Sequence, residues 1–208
     1  WWAYHNAGGV EVGVVIRWDV PADPRDPKSK ASKRILPVSL TPDGWACVGM
    51  PTPRPLYGLP ALLATKPSGR VYVTEGEKAA DAARAVGLMA TTSPHGCESA
   101  AKADWSPVAG RDVVILPDND DAGEKYAADG ARLATAAGAK SVRVVRLVEL
   151  WAGMPKGGDM ADFVEHRGGD VDPIRAEVEA LTDKTEPDTV PPDAPVISAH
   201  FPVRSNIR

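Results

Sequence analysis

Hydrophobic positions fall into two regimes along the chain. Through residues 1–66 they come in short alternating runs, "VEVGVVIRW" (10–18) and "RILPVSL" (34–40), set apart by proline and glycine. A period of two is the pattern of half-buried strands, so a small antiparallel β region is expected there. Between the runs lies "PADPRDPKSKASKR" (21–34), read as a loop rich in proline and basic residues, and "PLYGLPALLAT" (55–65) predicts a short helix leading out. From residue 70 to 182 the period switches repeatedly. "RVYVTE", "LMATT", "RDVVILP" and "SVRVVRL" predict strands, while "GEKAADAARAVG" and "DAGEKYAADGARLATAAG" predict helices stopped by Gly87 and Gly138. "DPIRAEVEALTDK" (172–184) predicts a closing helix. Strands alternating with helices imply a parallel, doubly wound sheet. After Thr185 five prolines and little periodicity predict a linker or tail.

Composition adds exclusions. The 208 residues are 43% hydrophobic and 25% charged, ordinary for a globular chain, and the net charge of −4 argues against coating nucleic acid through an overall positive field. Cys47 and Cys97 stand in no paired motif and the four histidines in no metal-ligand spacing, so neither a zinc set nor a disulfide framework is expected, and a reducing compartment is the default. No apolar run approaches the roughly 20 residues of a membrane helix. The chain opens on Trp1 without a signal peptide, so it is expected to be a fragment of something longer.

Three acidic constellations carry the candidate chemistry. In "VYVTEGEK", Glu75 ends a buried strand and Gly76 follows in the turn, where a ligand of an open α/β sheet would bind; the competing reading has Glu75 and Glu77 only favouring the first helical turn. In "LPDNDDAG", Asp118 and Asp120 lie two apart, on one side of an extended chain, and suit a hard cation such as Mg²⁺; the alternative is that Asp120 or Asp121 caps the following helix, which fits Asp121 well. In "PKGGDMADFVEH", Asp159 and Asp162 lie three apart after two glycines, as a capped helix start also would. Basic residues gather at Arg25, Lys28, Lys30, Lys33 and Arg34, as phosphate contacts or as a solvated loop. Lys78, Lys125 and Lys102 fall near the strand ends.

Glu at one strand end, Asp-x-Asp at the next and a later Asp pair, in that order, resemble the TOPRIM domain, and most closely that of phage- and plasmid-type DNA primases, including primase–helicase fusions. "PLYGLPALLA", "RVYVTEGEKAADAARAVGLMATTSPHG", "RDVVILPDNDDAGEKYA" and "GGDMADFV" carry the likeness over roughly residues 55–165. The resemblance implies an α/β TOPRIM (Rossmann-like) parallel sheet at 67–184, behind a small N-terminal mixed β subdomain at 1–66 and followed by a proline-rich tail at 185–208. It implies catalytic Glu75, Asp118 and Asp120. A metal set would add Asp159 to these and hold Mg²⁺ or Mn²⁺. Nucleic acid or nucleotide would meet Lys28, Lys30, Lys33, Arg34, Gly76, Lys78 and Lys102. The implied activity is synthesis of RNA primers on single-stranded DNA from nucleoside triphosphates, alongside a helicase domain or subunit, in the cytoplasm of a bacterium or phage-infected cell.

The chain shows no zinc-binding module and no GxxxxGK[ST], so neither template selection by zinc nor an ATP-driven motor is written here. Two other readings share the acids: a TOPRIM metal-dependent nuclease, and a non-catalytic nucleic-acid-binding accessory of a replicative helicase. A topoisomerase would need a nucleophilic tyrosine, and Tyr4, Tyr57, Tyr72 and Tyr126 all fall in small or core contexts.

Overall fold

A computed structural model describes residues 1–26 and 28–188; most of the proline-rich tail lies outside the described residues. Strands β1 (Trp2–His5), β2 (Glu11–Val20), β3 (Ser32–Thr41) and β4 (Gly44–Ala46) form a sheet in that order, every pair antiparallel. The N-terminal region is therefore a meander, the small antiparallel β region that the alternating runs predict. The β2–β3 ladder runs as far as Val20↔Ser32, which draws Lys33 and Arg34 out of the expected loop and onto a strand. Neighbours on a strand face opposite ways.

Helix α1 (Leu59–Ala64) leads into the second sheet, made of β5 (Arg70–Thr74), β6 (Ala90–Thr91), β7 (Asp112–Leu116) and β8 (Ser141–Val144). All its pairings are parallel and the spatial order is β6-β5-β7-β8. Helices α2 (Glu77–Ala85), α3 (Asp121–Ala136), α4 (Met160–His166) and α5 (Val171–Lys184) complete the chain. The two central strands are apolar on both faces because both faces are covered. Tyr72, Val114 and Leu116 pack with α2, α4 and α5 residues such as Ala83, Phe163 and Val178. Val71, Val73, Val113 and Ile115 pack with α1 and α3 residues such as Leu62, Tyr126 and Ala134. This is the doubly wound parallel sheet that the alternating pattern predicts. Beyond those expectations stand β1 and β4, and the strands expected over "LMATT" and "SVRVVRL" shrink to their inner residues.

The chain order reverses around β5 and β7. β5 leads outward to β6, and the next strand returns to pair on β5's other side, with Thr74 in register with Leu116. A sheet opens a crevice beyond the carboxyl ends of its strands at such a switch point. Glu75 and Asp118 follow directly from those two ends.

The meander leans on α2 through polar contacts. Tyr4, fully buried, donates its hydroxyl to Glu77 Oε1 at 2.7 Å. Trp2 donates its indole N–H to Asp81 Oδ2 at 2.8 Å, and Tyr57 donates to Asp81 Oδ1 at 2.9 Å.

Candidate active-site cleft

A cleft of about 380 Å³ lies between the meander and the parallel sheet. The meander contributes Trp2, Val15, Arg17, Lys33 and Ile35, the strand ends contribute Glu75, Gly76 and Asp118, and the start of α4 contributes Asp159. Lys33 thus faces the acids, whereas Arg34, its neighbour on β3, pairs with Trp18 in the ladder and faces the other way. Lys28 and Lys30 stay exposed before the strand, and Lys125 is exposed on α3.

Glu75 is half-buried, and its Oε2 is shut off from solvent with no hydrogen-bond partner. Its pKa is raised, first by burial and then by the charge of Asp120, with Lys33 pulling the other way. Asp118 is affected more strongly. Burial first, then Glu75, Asp159 and Asp120, push it up to about 7 against the opposing pull of Lys33. The four carboxylates on three separate sequence motifs therefore share one electrostatic neighbourhood.

Local geometry changes the reading of several acids. Asp118 and Asp120 are not on an extended segment: the Asp120 N–H bonds back to the Asp118 carbonyl at 2.8 Å, so the chain turns between them. Asp120, not Asp121, caps α3, its Oδ1 accepting the Gly123 N–H at 2.9 Å. A cap needs extended backbone, and Asp120 is the last residue that has it; Asp121 is already helical. Asp159 caps α4 by accepting from Ala161 and Asp162, while Asp162 returns the bond to the Asp159 N–H. The capping reading of this motif is thus realised, with Asp159 still lining the cleft. Lys78 does not stand free for phosphate. Its Nζ lies 3.9 Å from Asp159 and 3.7 Å from Asp162.

Asn119 explains how the third motif reaches the second. Its Nδ2 donates to the carbonyls of Met154 and Pro155, its N–H to that of Gly158, and its own carbonyl accepts the Gly157 N–H. The segment before Asp159 is thereby clasped to the aspartate turn. Gly157 has φ +72°, a conformation that favours glycine, so one of the two glycines in "KGGD" is there to make this clasp. Gly76, by contrast, has extended backbone with open space where a side chain would be, so it keeps the cleft wall clear. Lys102 is exposed at the end of the 3₁₀ turn Cys97–Lys102, off the cleft lining.

Among the described residues, no three His, Cys, Asp or Glu side chains are gathered into a ready-made metal cage. The donor set nonetheless fits Mg²⁺, which is held by one or two carboxylates and keeps positions for water and phosphate. The unpartnered Glu75 oxygen and the destabilised charge on Asp118 are what a divalent cation would relieve.

Sequence missed Arg54 and His95. His95 lines the cleft, and both carry buried nitrogens without partners, Nη1 and Nε2. "SPHG" held a signal only in the turn it implies. His95 has φ +70°, and no other non-glycine described residue has positive φ.

No protein-family model matches the chain, and no curated protein matches its sequence. Solved structures match its fold. The zinc-binding and RNA polymerase domains of the Aquifex aeolicus primase superpose with a TM-score of 0.54 at 19% identity, over 89% of this chain and 40% of that one. A DnaG catalytic core gives 0.50 at 16%, over 89% and 52%. The E. coli primase catalytic core gives 0.50 at 17%, over 89% and 51%. This chain spans about half or less of each of those chains. At such identities the likeness is one of fold, and the fold is that of bacterial primase catalytic cores.

Proposed function

We propose that this chain is the catalytic TOPRIM region of a DNA primase of the phage or plasmid type. Its reaction would be metal-dependent nucleotidyl transfer, making RNA primers on single-stranded DNA, with a helicase domain or subunit as partner. The observation that carries the proposal is the electrostatic coupling of Glu75, Asp118, Asp120 and Asp159, three of which (Glu75, Asp118 and Asp159) line one cleft, with a buried Glu75 oxygen left unpartnered. We also propose the division into a β subdomain at 1–66, a TOPRIM domain at 67–184 and a tail at 185–208.

Glu75, Asp118 and Asp120 would hold Mg²⁺ or Mn²⁺. When bound, such an ion neutralises charge developing on a transferring phosphoryl group. Lys33 faces the acids across the cleft and is placed to meet template or nucleotide phosphate. Asp120, fixed by its cap, orients the turn that presents Asp118. Gly76 leaves space at the wall for the incoming nucleotide. Lys78 holds Asp159 and Asp162 and so acts by positioning. Lys28, Lys30 and Arg34 lie outside the cleft and would serve longer-range attraction of nucleic acid.

The test is primer extension on single-stranded template with labelled nucleotides and Mn²⁺, parent against Glu75→Gln, in the longest available protein. Loss of primers in Glu75→Gln alone supports the proposal, and equal extension by both removes Glu75 from catalysis. DNA cleavage by the parent without primers gives the site to a nuclease. Template binding with neither activity makes the chain a helicase accessory.

A further inference from the structure

Only one face of the meander is turned to the cleft. Alternation along β3 sends Lys33 and Ile35 there, so Arg34, Leu36, Val38 and Leu40 point the other way. The ladders extend that outer face into rows: Trp18 opposite Arg34, Ile16 opposite Leu36, Val14 opposite Val38, and Leu40 opposite Trp45. Arg34 is the one charged residue in these rows, and none of the apolar ones belongs to a buried cluster among the described residues. Trp18, Leu40 and Trp45 keep 43%, 39% and 50% of their surface in solvent. Tryptophan is seldom left so open, and an apolar sheet face is normally buried against another layer. At one end of the face, Leu40 also lines a cavity of about 370 Å³, together with Val12, Met50, Pro51, Pro53 and Leu59.

We propose that the outer face of the meander is a self-association surface, which packs against the same face of a second copy of this chain.

The order of the rows points to that occupant. Trp18–Arg34 lies three residues to one side of Pro37 along β3, and Leu40–Trp45 lies three to the other. A two-fold axis in the interface plane, crossing the strands at Pro37, lays each end row on the opposite end row of the other copy. Leu36 then meets the partner's Val38, and Ile16 the partner's Val14. Trp18 comes over the partner's Leu40, at the mouth of the cavity, an aromatic anchor of the kind that dominates interfaces. Arg34 comes over the partner's Trp45 as a cation on a ring. Beyond that ring stands Asp43, an exposed carboxylate in the β3–β4 turn, for the same guanidinium. Symmetry makes every contact twice. Strand spacings put the face at roughly 500 Å², hence about 1,000 Å² for the pair, the lower limit of a specific interface, so association depends on concentration. Single-stranded nucleic acid suits the face less. Aliphatic rows separate its two tryptophans, and one guanidinium makes no track for phosphates.

Sedimentation velocity of the full chain, in EDTA and across a concentration series, reads the association. The parent should pass from monomer to dimer and no further, because a two-fold interface closes on itself. Trp18→Ser should weaken dimerisation roughly thirtyfold or more, the scale of an interface anchor. Arg34→Asp and Asp43→Arg, both at exposed positions, should each weaken it severalfold, and the two together should recover most of the loss. Ile35→Ser, comparably exposed on the cleft side of β3, should leave it unchanged. A parent that stays monomeric at every concentration overturns the proposal. So does equal loss in Ile35→Ser, the mark of unspecific stickiness, or a charge swap that recovers nothing in variants whose melting curves show them folded. A single-stranded oligonucleotide is the second probe: a monomeric parent whose oligonucleotide binding falls in Trp18→Ser gives the face to nucleic acid instead. A dimer that forms only after residues 189–208 are removed gives it to the tail. The carboxylate site opens on the opposite face and plays no part in the association, so failure of either leaves the other standing.

Discussion

Asp118 carries an acid–base consequence. Its pKa of about 7 in the fold stands above the ordinary 3.8, so folding favours its protonated form. That contribution is fully present below the ordinary value and is lost as pH rises through about 7. With metal chelated, stability from urea titrations should therefore decline between these limits, by at most about 1.4 kcal/mol per pH unit for one proton. Asp118→Asn should flatten that decline; an unchanged slope would place the coupling elsewhere. Lys78 makes a second expectation. Its ammonium is shared between Asp159 and Asp162 at ion-pair distance and is half exposed. Lys78→Met should raise Mn²⁺ affinity by calorimetry roughly two- to fivefold, the scale of an exposed pair, by returning negative charge to the cleft. At this scale the sequence was informative wherever a residue's place followed from its strand. Glu75 and Asp118 come straight off β5 and β7. Whether Asp120 or Asp121 would cap could not be read, because it turns on the one residue where backbone passes from extended to helical. Arg54 and His95 were invisible for another reason: their isolation is created by Met50, Lys102 and Gly49, each distant from at least one of them.

Among elements, the connection from β7 to α3 is the least forgiving. A Cβ on Gly123 would collide with the carbonyl of Asp118, so helix and aspartate turn can approach only through a glycine. Backbone cannot swing aside as a flexible side chain can. Gly123→Ala should displace the turn and abolish Mn²⁺ binding, and binding as tight as the parent's would show that the turn is compliant. Gly130→Ala is the contrast on the same helix. There the nearest atom is Ile115 Cδ1 at 3.1 Å, a side-chain terminus able to shift, so metal binding should survive. Elements of strong period were legible: β2, β3, β5, β7, α2, α3 and α5 all fall where alternation or helical spacing puts them. β1 and β4 are 4 and 3 residues long, too short to show a period, and they exist because β2 and β3 offer edges to pair with. Ser32 and Lys33 give no strand signal in the sequence because polar side chains on an exposed ladder carry no apolar signature.

Over the whole molecule, the join between the two sheets rests on few groups. Tyr4, Trp2 and Tyr57 donate to two carboxylates on α2, and burial raises the Glu77 pKa despite the Tyr4 hydrogen bond. Tyr4→Phe keeps the ring and leaves Glu77 without its donor, which should cost about 1–3 kcal/mol in urea unfolding. A loss confined to the noise would mean that solvent takes over the carboxylate. The pairing plan of the two sheets sets an order in time. The meander joins strands adjacent in sequence, whereas β5 waits for β7 across the excursion through α2 and β6. Sequence-local pairings close sooner than distant ones. Yet among the described residues the meander buries just Tyr4 and Val15 in a cluster with Met50, too little to stand without the helix beneath it. Early hairpins therefore wait for a late sheet. The cleft, walled by one and floored by the other, needs both in place, so a form that lacks either sheet cannot possess it.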